Sequence, residues 1–198
     1  MTCIVGLVHE DRVIIGGDSA GVTVGWGLNT RVDPKVGVVG EFVIGFTDSF
    51  RMGQVLLYRF QPPQIPDGAE MMSYMVGPFI DELRRTLKAA GYAERQNERE
   101  SAGTFLVGVR GRLFRISCDY QVGESADGYD CVGCGMDLAL GSMYSTGLLD
   151  RFIPDRSIPA RERVLEALGA AEHFSGGVQG PFKLVETPLA FRTPPIVG

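Results

Sequence analysis

Strand-like and helix-like patterns fall into separate runs along this chain, and that segregation limits what it can fold into. The first run is all strands. Thr2 to Val8 is apolar and β-branched, Glu10-Asp11 is a polar break, and Arg12 to Gly17 is apolar again. Together they predict a hairpin. Gly21 to Gly27 is glycine-rich and irregular and holds the single tryptophan, Trp26. Val36 to Val39 and Phe42 to Phe46 are two more short strands flanking Gly40-Glu41. Two helices follow. Ser49 to Phe60 is apolar at Met52, Val55, Leu56 and Phe60 and stops at Gln61-Pro62-Pro63. Ala69 to Ala90 carries the stripe Met72, Met75, Phe79, Ile80, Leu83 and Leu87, with Gly91 as its C-terminal stop. Arg95 to Glu100 reads as a charged, solvated connection. Strands resume at Gly103 to Val109, Leu113 to Cys118 and Tyr129 to Val132. Met136 to Leu149 and Ala160 to Phe174 are two further helices, and short strands near Phe182 to Val185 and Leu189 to Phe191 close the chain. This order predicts an α+β arrangement of layers rather than a parallel βαβ repeat.

A chain of 198 residues can bury ~70% of its surface, which is enough for one full core. No internal repeat or linker marks a second unit, so a single domain over residues 1–198 is expected. Nineteen basic against 24 acidic residues give a net charge of −5 with no basic block, which argues against nucleic acid as a partner. Apolar runs are short and interrupted by charge, so no membrane span is expected. The opening Met1-Thr2-Cys3-Ile4 lacks the basic stretch of a signal peptide, which makes the cytoplasm the expected location. The four cysteines, Cys3, Cys118, Cys131 and Cys134, are then expected to be reduced. Among 27 glycines there is no GxGxxG or Walker pattern, so no nucleotide cofactor is expected.

Chemistry is suggested first by the second residue. An initiator methionine ahead of a residue as small as threonine is normally removed, which would leave Thr2 as the N-terminus. Such a residue carries a hydroxyl nucleophile and an α-amine whose ordinary pKa, about 7.7–8.0, suits a general base near neutrality. Many chains begin Met-Thr with no such role, so the rest of the pattern decides.

Thr2-Cys3-Ile4-Val5-Gly6 followed by Val13-Ile14-Ile15-Gly16-Gly17-Asp18 resembles the opening of proteasome β-subunits. It is similar also to the related peptidase subunit (HslV type) of the bacterial two-component ATP-dependent protease. Four later segments keep that family's order: Pro34-Lys35-Val36, Phe42-Val43-Ile44-Gly45-Phe46, Val132-Gly133-Cys134-Gly135, and Glu172-His173-Phe174-Ser175-Gly176-Gly177. The resemblance covers nearly the whole chain. It implies an N-terminal-nucleophile (Ntn) hydrolase with a four-layer αββα sandwich, and a threonine peptidase acting on polypeptide.

By that resemblance Thr2 is the nucleophile, Lys35 the cation beside it, and Asp18 the group that orients Lys35. The N–H of Gly45 becomes the oxyanion donor. Cys134, Glu172 and Ser175 become the supporting shell around the α-amine. Val43 is the expected lining of the pocket for the P1 side chain. One extra residue between Asp18 and Lys35 leaves Val22 and Thr23 as alternatives for the position facing the substrate backbone. Two positions depart from the family: Cys134 stands where serine is usual, and Glu172 where aspartate is usual. The resemblance further implies a homo-oligomeric ring, stacked as a double ring, fed by a separate AAA+ ATPase.

Other readings remain open at this point. Taken singly, Asp18 suits a turn, Lys35 a solvated surface, and Gly45 a backbone bend. The altered shell also fits a catalytically silent ring subunit or scaffold, and the fold could serve a narrower amidohydrolase. Cys131-Val132-Gly133-Cys134 is a CxxC pair, but a structural zinc site needs four ligands. Cys3, Cys118, His9 and His173 supply no second pair at metal spacing, so no metal is expected.

Overall fold

The computed structural model describes residues 1–22, 27–92, 94–96, 99–153, 155 and 157–188. Six strands open the chain: β1 (Cys3–His9), β2 (Arg12–Gly17), β3 (Ala20–Val22), β4 (Leu28–Thr30), β5 (Val36–Val39) and β6 (Phe42–Phe46). Helix α1 (Phe50–Tyr58) follows, then α2 (Met71–Tyr74), a π-helical turn (Met75–Phe79) and α3 (Ile80–Ala89). Next come β7 (Glu94–Gln96), β8 (Arg99–Ser101), β9 (Phe105–Val109), β10 (Arg112–Ile116), β11 (Val122–Glu124) and β12 (Tyr129–Gly133). Helices α4 (Met136–Phe152) and α5 (Ala160–Phe174) precede the last described strand, β13 (Lys183–Glu186).

Two antiparallel sheets carry the architecture. One has the strand order β12-β1-β2-β13 and the other β11-β10-β9-β6-β5. Their facing sides enclose Ile4, Val13, Ile15, Val36, Val43, Leu106, Leu113 and Val132, all buried. The outer side of the first sheet packs on α4 and α5 through Val5, Leu7, Ile14, Met143, Val164 and Leu168. The outer side of the second packs on α1 and α3 through Ile44, Phe46, Met52, Leu56, Leu83 and Phe114. The result is helix, sheet, sheet, helix, the expected αββα sandwich. Because both sheets are covered on both faces, β6 is apolar at every position but Gly45.

Local chemistry explains two helix starts. Ser49 caps α1, its hydroxyl accepting from the N–H groups of Arg51 and Met52. Glu70 does the same for α2. The stripe from Ala69 to Ala90 is not one continuous α-helix. Pro78 lies inside it and has no N–H to return to Tyr74, and the backbone widens into a π-helical turn there. Arg95 to Glu100, expected as a loop, contributes to the short ribbon β7–β8. Glu100 is drawn to Arg84 of α3 at 2.9 Å. The expected strand at Leu189 to Phe191 lies outside the described residues, as does Trp26. No described helix is long and apolar enough to cross a membrane.

Candidate active site

The β1–β2 hairpin brings the first two site residues together. Its register pairs Ile4 with Gly17, so Asp18 emerges opposite Cys3. The Asp18 N–H donates to the Cys3 carbonyl at 3.3 Å. Its carboxylate accepts from the N–H of Cys3 at 2.9 Å and from the N–H of Ala20 at 2.9 Å. Lys35 stands just before β5 and reaches across the gap between the sheets. Its Nζ lies 2.9 Å from each Asp18 oxygen and 3.0 Å from Thr2 Oγ1. Thr2, Asp18 and Lys35 are 5%, 1% and 2% exposed, so the ion pair is dry. Burial is the main influence on Lys35 and lowers its pKa from the ordinary lysine value, while the neighbouring Asp18 carboxylate partly restores it.

The Gly133-Cys134-Gly135 turn closes on the same residue from the other side. Gly133 has φ +101, and a Cβ there would come within 2.2 Å of the Thr2 carbonyl oxygen. Only glycine lets the chain turn so tightly against Thr2. Cys134 Sγ accepts from Thr2 N at 3.3 Å and lies 3.4 Å from the Thr2 carbonyl oxygen. Ser175 Oγ is 3.7 Å from Cys134 Sγ. Cys131 is turned instead into the core under α4 and α5 with Cys3. Burial pushes the Cys3 thiol up to about 12 and the Cys131 thiol up as well. Among the described residues no group of three or more His, Cys, Asp and Glu is placed to hold a metal ion.

Met1 is part of the same neighbourhood. Its carbonyl oxygen accepts from Thr2 Oγ1 and, at 3.4 Å, from Lys35 Nζ. With Met1 attached, the nitrogen facing Cys134 is a peptide N–H; without it, the same nitrogen is a free α-amine.

Three expected site residues stand elsewhere. Val43 is fully buried between the sheets with Ile4, Val13 and Leu106. Gly45 lies in β6 opposite Leu106 of β9, facing Ile4 and Ile15. Phe46 N donates to the Lys35 carbonyl and Thr47 N to the Thr104 carbonyl, each at 3.0 Å. The alternation of an antiparallel ladder therefore turns the Gly45 N–H into β9 rather than toward Thr2. Glu172 accepts from Gly180 N at 2.7 Å and from Gln179 Nε2 at 3.2 Å, and so braces the segment after α5. Val22 lines a cavity beside Thr2, whereas Thr23 lies outside the described residues.

That cavity exposes what the sequence reasoning missed. Its walls include Phe46, Phe50 and the Thr47–Ser49 turn. Asp48 holds φ +65, in the left-handed region, and its carboxylate accepts from Thr104 N at 2.8 Å. The Asp48 N–H makes no hydrogen bond among the described residues. The register gives the reason: pairing Val36 with Gly45 sets Phe46, not Gly45, level with Lys35.

The sandwich and its topology decide the fold. This is the proteasome-like N-terminal-nucleophile hydrolase fold. Solved structures share it across nearly the whole chain. The BPH protein of Thiobacillus denitrificans, solved in complex with epoxomicin, superposes with a TM-score of 0.74 at 20% identity, covering 95% of this chain and 99% of that one. The eukaryotic HslV of Trypanosoma brucei gives 0.63 at 16% identity, covering 93% and 98%. An Anbu protein of Hyphomicrobium sp. strain MC1 gives 0.61 at 18% identity, covering 93% and 80%. No family model matches the sequence, and no curated protein matches it.

Proposed function

We propose that this chain is a threonine-type endopeptidase subunit of a proteasome-like chambered protease, with Thr2 as nucleophile once Met1 is removed. The observation that carries the reading is the buried Lys35 ammonium, held by Asp18 and placed 3.0 Å from Thr2 Oγ1. In the reaction, Thr2 Oγ1 attacks the scissile carbonyl carbon and its proton passes to the Thr2 α-amine. Lys35 stabilises the negative charge that grows on the hydroxyl oxygen. The amide C–N bond breaks, the leaving amine takes the proton, and a Thr2 ester remains. Water then attacks that ester, regenerates the hydroxyl and releases the acid. Asp48 N–H, at the edge of the same cavity, takes the oxyanion role in place of Gly45. Cys134 and Ser175 hold the α-amine. The partners in this reading are further copies of the chain in a ring, stacked as a double ring, a separate AAA+ ATPase, and unfolded polypeptide in the cytoplasm.

A second reading has its own support. The Met1 carbonyl occupies both Thr2 Oγ1 and Lys35 Nζ, so a chain that keeps Met1 is a silent ring subunit or scaffold. Intact-mass spectrometry before and after exposure to epoxomicin, the compound found with the Thiobacillus denitrificans protein, separates the two. The peptidase reading expects a mass lacking one methionine and a single adduct, lost in Thr2→Ala while assembly persists. Retained Met1 with no adduct and no peptide cleavage overturns it.

A further inference from the structure

The four cysteines differ in what their sulfurs can meet. Cys3 and Cys131 are buried in the core under α4 and α5, and burial raises both thiols, so they stay protonated and out of reach of solvent. Cys118 and Cys134 are exposed. The Cys118 side chain makes no hydrogen bond among the described residues. Cys134 instead faces a nitrogen: its Sγ lies 3.3 Å from Thr2 N and 3.4 Å from the Thr2 carbonyl oxygen. This contact does not depend on Met1. Thr2 N hangs from a Cα whose other two arms are held. The Thr2 carbonyl accepts from Gly135 N at 3.4 Å, and Thr2 Oγ1 lies 3.0 Å from Lys35 Nζ. At a tetrahedral carbon of fixed hand, two fixed arms set the direction of the third. The nitrogen therefore keeps its place beside the sulfur when Met1 leaves, and it becomes an amine with a lone pair.

Resting on the peptidase reading, we propose that Cys134 and the Thr2 α-amine form a peroxide-operated switch, in which oxidation joins Cys134 Sγ to Thr2 N as a sulfenamide and turns the peptidase off. Sulfenic acids condense with a neighbouring nitrogen in this way. In the first step the Cys134 sulfur attacks hydrogen peroxide, the O–O bond breaks, one water leaves and an S–OH group remains. In the second, the lone pair of Thr2 N attacks the sulfur and the S–O bond breaks. The hydroxide takes a proton from the nitrogen and leaves as a second water. Sulfur is oxidised, peroxide is reduced to two waters, and the chain loses two hydrogens. The nitrogen so capped cannot take the proton of the Thr2 hydroxyl, which is its part in peptide cleavage. A thiol reverses the link by attacking the sulfur and releasing the amine, and a second thiol then frees Cys134 from the mixed disulfide. Capture by the amine also keeps the sulfur from the irreversible higher oxidation states.

The test treats the purified full chain with a small excess of hydrogen peroxide, stops the reaction with catalase, and measures intact mass and peptide cleavage before and after dithiothreitol. The chain should become lighter by two hydrogens. Turnover of that form should fall ~100-fold or more, the scale for losing a positioned base. Dithiothreitol should restore both mass and turnover. Fragmentation of the cross-linked peptides should place the link on the Thr2 nitrogen, with Cys3 still open to alkylation after denaturation; this readout needs no variant. In Cys134→Ser the ratio of treated to untreated turnover should stay near one. A disulfide to Cys3, oxygen retained on Cys134 with no link, or an equal loss of turnover in Cys134→Ser overturns this inference and leaves the peptidase reading standing. A chain that keeps Met1 and cleaves no peptide even before peroxide overturns both.

Discussion

Two parts of the layer between the sheets are equally dry and held together by opposite means. Its middle is Ile4, Val13, Ile15, Val43, Leu106 and Leu113, stabilised by apolar surface removed from water at roughly 25 cal/mol per Å². Its end, at Thr2, holds a lysine and an aspartate with almost no exposure. Taking two charges out of water costs several kcal/mol per ion, and their attraction offsets that cost only when every lone pair and proton is satisfied. Here Asp18 meets that condition with two backbone N–H groups and the Lys35 ammonium. A well-packed apolar pair of similar volume would hold the sheets together as firmly. On the peptidase reading the charged end contributes chemistry, while the apolar middle contributes stability.

The largest effect should come from breaking the charged end. Lys35→Ala should lower peptidase turnover by ~100-fold or more. It should also destabilise the fold by about 3–5 kcal/mol, because Asp18 is left buried without its counter-charge. Turnover and urea denaturation of the same preparation check both halves, and near-normal turnover in a folded variant would sink the assignment. Val43→Ala is the matching cut in the middle. It should cost about 1–3 kcal/mol through the cavity it leaves, with P1 preference unchanged. A changed preference would return Val43 to the substrate pocket.

A smaller effect concerns pH, and its sign follows from proton counts. Burial lowers the Lys35 pKa below 10.5, so between the lowered value and 10.5 the unfolded chain holds a proton that the folded chain has released. Stability from this group rises with pH across that window. Cys3 acts in the opposite direction. Its thiol is raised from 9.0 to about 12, so the folded chain keeps a proton that the unfolded chain loses, and stability falls as pH rises through that range. Denaturation curves from pH 7 to 10 should show a less favourable trend with rising pH in Lys35→Met than in wild type. Identical slopes would mean that Lys35 titrates normally.

The smallest expected change is at Cys134. Cys134→Ser should preserve turnover or raise it slightly, since a hydroxyl is the better partner for the Thr2 amine at similar size. A chelator should have no effect on either form. A fall in both turnover and melting temperature with serine, mimicked by the chelator, would instead make Cys131 and Cys134 a metal pair.

Much of the frame was legible because it rests on local rules. Glu10-Asp11 between two β-branched runs specified the hairpin, and a tight two-residue turn places Asp18 opposite Cys3. The apolar spacing of Met52, Val55, Leu56 and Phe60 predicted α1, and α4 and α5 stand where Met136 to Leu149 and Ala160 to Phe174 were expected to be helical. Other features had no local signature. The β3–β4 and β7–β8 ribbons are three-residue strands whose pairing the pattern does not announce. The break in the Ala69 to Ala90 stripe is set by Pro78, which the spacing of apolar residues conceals.

The sequence by itself determined the order of strands and helices, the pairing of Cys3 with Asp18 across one turn, and the glycines that let Cys134 close on Thr2. These depend on turn chemistry and on patterns spanning a few residues. The tertiary structure decided which residues of β6 and its following turn face the nucleophile. β6 is buried on both sides, so Phe42-Val43-Ile44-Gly45-Phe46 shows no polar alternation to mark its faces. The face is set by register with β5 and β9, which binds Gly45 into the sheet and leaves Phe46, Asp48 and Phe50 at the cavity. A one-residue change in that register would exchange the two sets, and only the packed sandwich, by filling its interior with Val43 and its outer core with Phe46, selects between them.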